Sequence, residues 1–311
     1  MPEKRVPHPI MLGVVGDSAA GKTTLSEGIA SILRSDRVVV MCADDYHRYS
    51  REERRINGIS ALDPKGNYID ILEEHLQLLR LGRPILKPVY NHSDGTLGAP
   101  EYVEPKPYII IEGLLGYTTR AMRDCYDVKI YLEPEEELRI LWKIQRDTAK
   151  RGYEREQVLE EIEKRKPFTQ AYIHPQRLFA DVVVCFHRPE HPTEGYQHLS
   201  VRHILRPTLP HPDLSPVLSD VANPGLRIEL ARDKDGKPVD ILDIEGNITD
   251  LRAERLEKLL WELIPEASHL RDNVGSFVDK NEQKSKSHPL ALTQLLLTYY
   301  MVKAALGVHV I

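Results

Sequence analysis

The sequence has no unbroken apolar run long enough to cross a bilayer, which excludes a membrane-spanning helix. Its first residues, Met1-Pro2-Glu3-Lys4-Arg5, lack the apolar stretch of a secretory leader. Cysteine is scarce: Cys42, Cys125 and Cys185 are the three in 311 residues. Three widely spaced thiols build neither a disulfide framework nor a metal cluster, and they point to a reducing compartment, with the cytoplasm as the default location. Positive charge is not in excess either. The formal net charge is −5, so nothing marks a nucleic-acid partner, and no internal repeat is visible. What is left, 41% hydrophobic and 29% charged, is an ordinary globular composition for one large domain or two smaller ones.

The strongest local signal is Gly16-Asp17-Ser18-Ala19-Ala20-Gly21-Lys22-Thr23-Thr24, which fits the phosphate-binding loop G-x-x-x-x-G-K-[ST]. An apolar run, Ile10 to Val15, stands before it, and apolar residues at helical spacing (Leu25, Ile29, Ile32, Leu33) follow. Strand, glycine-rich turn and helix are the context the motif requires. Glycines let backbone N–H groups turn inward on phosphate oxygens, and the helix N-terminus adds partial positive charge. Lys22 is expected to reach the β/γ-phosphates of ATP, and the Thr23 hydroxyl to hold Mg²⁺.

Further apolar runs at 38–41, 108–111, 128–132 and 182–184 read as buried strands, with a helix over 70–81 between the second and third. Near-continuous β-branched strands separated by helices predict an α/β fold, a P-loop NTPase-type, mostly parallel sheet with helices on both faces. Ligands in such sheets lie beyond the carboxyl ends of the strands. That groups the P-loop, Asp44-Asp45 and Glu112 around one cleft. Pro134 to Arg151 and Arg155 to Lys166 predict two charged helices, the second stopped by Pro167, forming a lid over phosphates. The kinase core is placed at 1–190. Residues 191–311 are expected to extend the same sheet with an antiparallel hairpin (226–232 with 239–244), then helices at 251–264 and 290–306, with a polar loop at 273–288 between them. The last helix is so apolar that it either packs on its own domain or covers a partner subunit, and a homodimer is the expectation.

A P-loop alone does not separate a kinase from a switch. Asp44, directly after a strand, is placed to take a proton from an attacking hydroxyl, and Glu112 at the end of another strand is placed to hold Mg²⁺ or its waters. Asp44 and Asp45 could instead merely cap a turn. No guanine-reading Asn/Thr-Lys-x-Asp segment is present.

With these residues in view, the chain resembles the phosphoribulokinase/uridine kinase family. The resemblance rests on the loop 16–23, Asp44-Asp45-Tyr46-His47, Ala61-Leu62-Asp63-Pro64, Lys87-Pro88-Val89-Tyr90-Asn91-His92, Ile111-Glu112-Gly113-Leu114, Trp142 to Asp147, Arg165-Lys166-Pro167, Ala171-Tyr172-Ile173, Pro175-Gln176 and Ala180-Asp181-Val182-Val183. It runs from residue 10 to about 186 and leans to the phosphoribulokinase branch. It implies ATP-dependent phosphorylation of a small-molecule sugar phosphate, D-ribulose 5-phosphate at its 1-hydroxyl. Asp44 is then the catalytic base. His47 and Arg51 contact the sugar phosphate, with Arg54 or Arg55 weaker candidates, and Tyr90, Asn91 and His92 lie on the substrate side. Lys143, Arg146, Asp147 and Arg151 form the lid cluster, in which Arg146 and Arg151 steady phosphate charge and Asp147 sits near the metal or orients Arg151. A substrate that already bears a phosphate suits arginine's planar fork.

The chain departs from its oxygenic relatives in carrying Ala20 where they carry a regulatory P-loop cysteine, so no thioredoxin-type switch through this loop is expected. No cysteine follows Cys185, which argues against docking to a redox-controlled dehydrogenase complex. Two other readings stay open: a uridine, other sugar or nucleoside kinase of the same family, and a non-catalytic P-loop switch.

Overall fold

Each apolar run becomes a strand, because a sheet covered on both faces needs apolar side chains at successive positions. The computed structural model describes residues 8–189, 198–218, 225–265, 274–278 and 284–307. In chain order the elements are β1 (Ile10–Gly16), α1 (Lys22–Ile32), β2 (Val38–Cys42), α2 (Arg51–Asn57), α3 (Ile69–Arg80), β3 (Ile85–Tyr90), β4 (Leu97–Val103), β5 (Tyr108–Gly113), α4 (Arg120–Asp124), β6 (Val128–Leu132), α5 (Glu136–Arg151) and α6 (Arg155–Phe168). The second half adds β7 (Val182–His187), β8 (Ser200–Leu205), α7 (Ser215–Leu218), β9 (Leu226–Arg232), β10 (Pro238–Ile244), α8 (Asp250–Leu263), β11 (Ser276–Val278), β12 (Lys284–Lys286) and α9 (His288–Ala305).

The central sheet has eight strands in the order β2-β5-β1-β6-β7-β8-β10-β9. The first five run parallel, and β8, β10 and β9 continue it antiparallel. Alternate residues of β1 face opposite ways. Leu12 and Val14 join a core with Leu25 and Ile29 of α1 and with α8 and α9. Met11 and Val15 join a second core with Leu72, Leu76 and Leu79 of α3 and with Met122 of α4. The parallel strands thus end at one rim, where the P-loop leaves β1.

Helix α9 is buried at every position from Pro289 to Val302. It packs against α1, α8 and the sheet. The apolar surface that suggested a subunit contact is therefore covered within the chain, and it gives no argument for a dimer. Its polar residues are satisfied locally: Thr293 donates to the Pro289 carbonyl at 2.7 Å, and Gln294 accepts from the Gly275 N–H at 2.8 Å. Gln294 lies so close to α1 that a Cβ at Gly28 would meet its side chain at 1.9 Å.

Two expectations need correction, and one hairpin goes beyond them. Helix α6 passes through Pro167 to Phe168, and the chain then widens into a π turn over Thr169–Ile173. The missing proline N–H falls near the helix end, where a widened turn tolerates it. The polar stretch 273–288 is not all loop, since β11 pairs with β12 there and α9 begins at His288; residues 273 and 279–283 lie outside the described residues. The hairpin β3–β4 was not read as strand, because its outer face is exposed and polar or mixed.

His203 of β8 is fully buried and bonds Thr293 of α9 at 2.9 Å. Thr293 spends its hydroxyl proton on Pro289, so the imidazole Nε2–H is the donor. Burial pushes the His203 pKa down to about 4, and the folded state holds the ring neutral. The unfolded chain binds the extra proton below the ordinary value near 6.5, so stability present above that pH falls as the pH drops toward 4. The loss attributable to this group is about 3 kcal/mol at most. In urea denaturation at pH 7.5 and 4.5, His203→Gln should lose less stability between the two pH values than the parent chain; equal losses would remove His203 as the cause.

Candidate active site

The P-loop is built by backbone geometry. A Cβ at Gly16 would meet the Leu132 carbonyl at 2.6 Å, so the strand end must be glycine. Ala19 and Gly21 adopt positive φ, 65° and 93°, which turns the chain tightly into α1. Ala20 is buried beneath. Lys22 is nearly buried and folds back across the loop, donating to the Gly16 and Asp17 carbonyls, each at 3.0 Å. Thr23 and Thr24, the next two residues, are exposed.

Thr23 Oγ1 donates to Glu112 Oε1 at 2.7 Å. Glu112 is buried at the end of β5. Burial raises its pKa, against the pull of Lys22 and the Thr23 hydrogen bond. Two hard oxygen donors side by side, one an anion that a cation would relieve, fit Mg²⁺.

Asp44 stands just past β2, and its Oδ1 accepts from the Leu114 N–H at 2.9 Å. Gly113 makes this approach possible, since a Cβ there would meet Ala43 at 2.6 Å and Asp44 Oδ1 at 3.1 Å. Asp45 turns the other way: Lys87 Nζ donates to its Oδ2 at 2.5 Å, tying the rim to β3.

His47 is buried, and its Nδ1 lies 2.6 Å from Asn67 Oδ1. The Asn67 amide donates to the Ala61 and Asp63 carbonyls at 3.1 and 2.7 Å, which fixes Oδ1 as the acceptor. His47 Nδ1 must then carry the proton, and Nε2 is left with a lone pair. Burial pushes the His47 pKa down to about 4, so the ring is neutral. Tyr90 stacks edge-on between His47 and His92 at 4.7 and 5.0 Å. Buried Arg54 donates to the Tyr90 hydroxyl at 2.6 Å, whereas Arg55 pairs with exposed Glu52. Burial lowers the His92 pKa as well; Asp44, Asp45, Arg151 and Arg146 all act on this ring, so the acceptor side and the lid meet here.

Two expected ligands also brace the turn between β3 and β4. Arg51 donates to the His92 and Ser93 carbonyls at 2.8 and 3.4 Å and clamps the β3–β4 turn. Asn91 spends both ends of its amide on that turn, with Asp94 and Ser93.

Helix α5 brings its cations to the P-loop. Asp147 is their hub: Oδ2 accepts from Lys143 at 2.8 Å, and Oδ1 faces Arg146 at 2.8 Å and Arg151 at 3.3 Å. Burial works against the carboxylate, but the Arg146 and Lys143 hydrogen bonds outweigh it and hold the pKa at about 2. Burial lowers Lys143 to about 8. Arg146 Nη2 donates to Ser18 Oγ at 3.1 Å, so the lid already touches the loop. Arg139, which the sequence reading missed, reaches the Ser18 carbonyl and Asp17, both at 3.2 Å. Its spacing was a usable signal, because 139, 143 and 147 fall at i, i+4 and i+8 on one helical face. Asn67 offered no such signal, since its partner lies twenty residues away in sequence.

Three comparisons bear on this arrangement. The family model described as phosphoribulokinase/uridine kinase matches residues 11–191. A phosphoribulokinase of Synechocystis sp. is 42% identical over 175 residues, covering 56% of this chain and 53% of that protein. A uridine kinase of Ligilactobacillus salivarius is 32% identical over 181 residues, covering 57% of this chain and 84% of that one. The chain spans about half the length of the curated phosphoribulokinases it matches. Among solved structures, the phosphoribulokinase from Rhodobacter spheroides superposes with a TM-score of 0.58 at 20% identity, over 85% of this chain and 98% of that one, a likeness of fold. Loop, acidic strand ends and lid helices all fall inside the matched segment, and the chain belongs to the phosphoribulokinase/uridine kinase family.

Proposed function

We propose that this chain is a kinase that transfers the γ-phosphoryl group of ATP to O1 of D-ribulose 5-phosphate, giving D-ribulose 1,5-bisphosphate for carbon fixation in the Calvin–Benson cycle. The observation that carries the reading is the meeting of Asp44, Glu112 and the Arg146–Asp147–Arg151 lid at one rim beside the P-loop. The greater identity to a phosphoribulokinase than to a uridine kinase supports the acceptor.

Thr23 and Glu112 would hold Mg²⁺, which when bound supplies neutralisation of charge on the β/γ-phosphate oxygens. Lys22 exchanges its two carbonyl partners for phosphate oxygens. Asp44 uses the oxygen not held by Leu114 to take the proton from the acceptor hydroxyl. Neutral His47 accepts a hydrogen bond from a sugar hydroxyl at Nε2. Arg146 and Arg151, aimed by Asp147, meet phosphate charge, and Lys143 completes that cluster. Arg51 and Asn91 act by shaping the turn that carries Tyr90 and His92.

The direct test is ADP release with a panel of acceptors. Ribulose 5-phosphate should drive release and uridine should not. Turnover of uridine alone would assign the nucleoside reading, and ATP binding without acceptor-dependent release would assign the switch. Asp44→Asn should cut turnover by about two orders of magnitude while ATP still binds; near-normal turnover would remove Asp44 as the base.

Asn67→Asp tests the His47 assignment. A carboxylate on Nδ1 raises the imidazole pKa, and below that raised value Nε2 is protonated and accepts nothing. Relative to the parent, whose His47 value of about 4 lies well below this window and whose Lys143 titration near 8 is shared by both chains, the variant should show KM for the sugar phosphate climbing more steeply as pH falls from about 8 to 6. Identical profiles would show that His47 accepts no bond from the substrate.

A further inference from the structure

Cys42, Asp45 and His92 have one ligand atom each within 4.8 Å of one another, although they come from a strand end, the turn after it and the β3–β4 turn. We propose that they form a site for a borderline-soft divalent cation of the Zn²⁺ type, distinct from the hard-oxygen pair Thr23 and Glu112, and that its occupancy blocks the acceptor side of the cleft.

The donors suit such an ion. One sulfur, one imidazole nitrogen and one carboxylate oxygen are the zinc set, and three protein ligands with an open fourth position make a tetrahedral site complete with water. His92 Nε2 is buried and has no hydrogen-bond partner among the described residues. It lies 3.8 Å from Asp45 Oδ1. Lys87 holds Asp45 by Oδ2, so Oδ1 stays on the imidazole side. The Asp44 backbone N–H is directed at the Cys42 sulfur, though burial and the neighbouring carboxylates outweigh it and keep the thiol protonated until a cation arrives. A set spread over 4.8 Å must close by about 1 Å to reach Zn–ligand distances near 2.0–2.3 Å.

The surrounding charges act both ways. Burial and the carboxylates of Asp44, Glu112 and Asp45 hold the Cys42 thiol protonated, and the same three charges attract a dication. Lys87 on Asp45, with Arg146 and Arg151 facing His92, oppose it. Binding therefore expels the thiol proton to solvent, with the ion replacing it on sulfur. Mg²⁺ does not compete, because it avoids thiolate and demands six oxygen ligands. The bound ion would sit beside Asp44 and remove His92 from the acceptor, so inhibition should be competitive with the sugar phosphate and not with ATP. That last consequence rests on the proposed function; the binding itself does not.

The test is titration of the full chain with Co²⁺ in excess Mg²⁺, followed by absorbance. One equivalent should produce a near-ultraviolet sulfur-to-cobalt charge-transfer band, which Zn²⁺ then abolishes. Cys42→Ser should lose the band, and His92→Asn should weaken Co²⁺ binding at least about tenfold by loss of a ligand. Cys125→Ser and Cys185→Ser should keep it. Circular dichroism establishes that each variant is folded, and His92→Asn carries the test if Cys42→Ser is not. Absence of the band in the parent, its survival in Cys42→Ser, unweakened binding in His92→Asn, or its loss with Cys125 or Cys185 would overturn the site. Because absorbance needs no turnover, a chain inactive on ribulose 5-phosphate can still show the site.

Discussion

The parallel pairing of β2, β5 and β1 is the constraint on which the site depends. Glu112 of β5 registers against Val14 of β1 on one side and Cys42 of β2 on the other. One register thus sets the P-loop, the Glu112 carboxylate and the Asp44 turn at a common rim. A slip of one residue would turn Glu112 into a core face and break its bond to Thr23. The apolar strands beneath resist that slip, since both faces of the sheet are buried. Helix α9, buried from Pro289 to Val302, supports α1 from below through Gln294 and Gly28.

On this rigid rim the charges are arranged in two tiers. Acidic groups lie at the strand ends and cations come from α5, the two linked through Ser18, Arg146 and Asp147. Asp147 is the economical part of the arrangement: one buried carboxylate holds three cations that would otherwise repel one another. Phosphate oxygens can take over cations that Asp147 already holds in place, and this preorganisation suits phosphoryl transfer.

Most of the sheet and the loop were legible in the sequence because their signals are local. Ile10 to Gly16 is a continuous apolar run ending in glycine, and 226–244 alternates around a turn. The lid helices were legible from spacing, which also contained Arg139. What could not be read depends on contacts between distant residues. Asn67 fixes the tautomer of His47 from twenty positions away. Arg51, expected at the substrate, also holds a turn forty-one positions on. Cys42, read as a small apolar residue, faces Asp45 and His92 only after β3–β4 folds back over the rim. Helix α9 showed its apolar character but not what covered it, because burial by one's own chain and by a partner leave the same pattern in the sequence.

The central claim is phosphoryl transfer to a sugar phosphate at this rim, and its most direct measurement is ³¹P nuclear magnetic resonance of ribulose 5-phosphate incubated with ATP, Mg²⁺ and the protein. The account predicts a second phosphomonoester resonance on the sugar, coupled to the C1 protons, growing as the γ-phosphate of ATP disappears. Loss of the γ-signal into inorganic phosphate with the sugar unchanged, or no change in either, would contradict it.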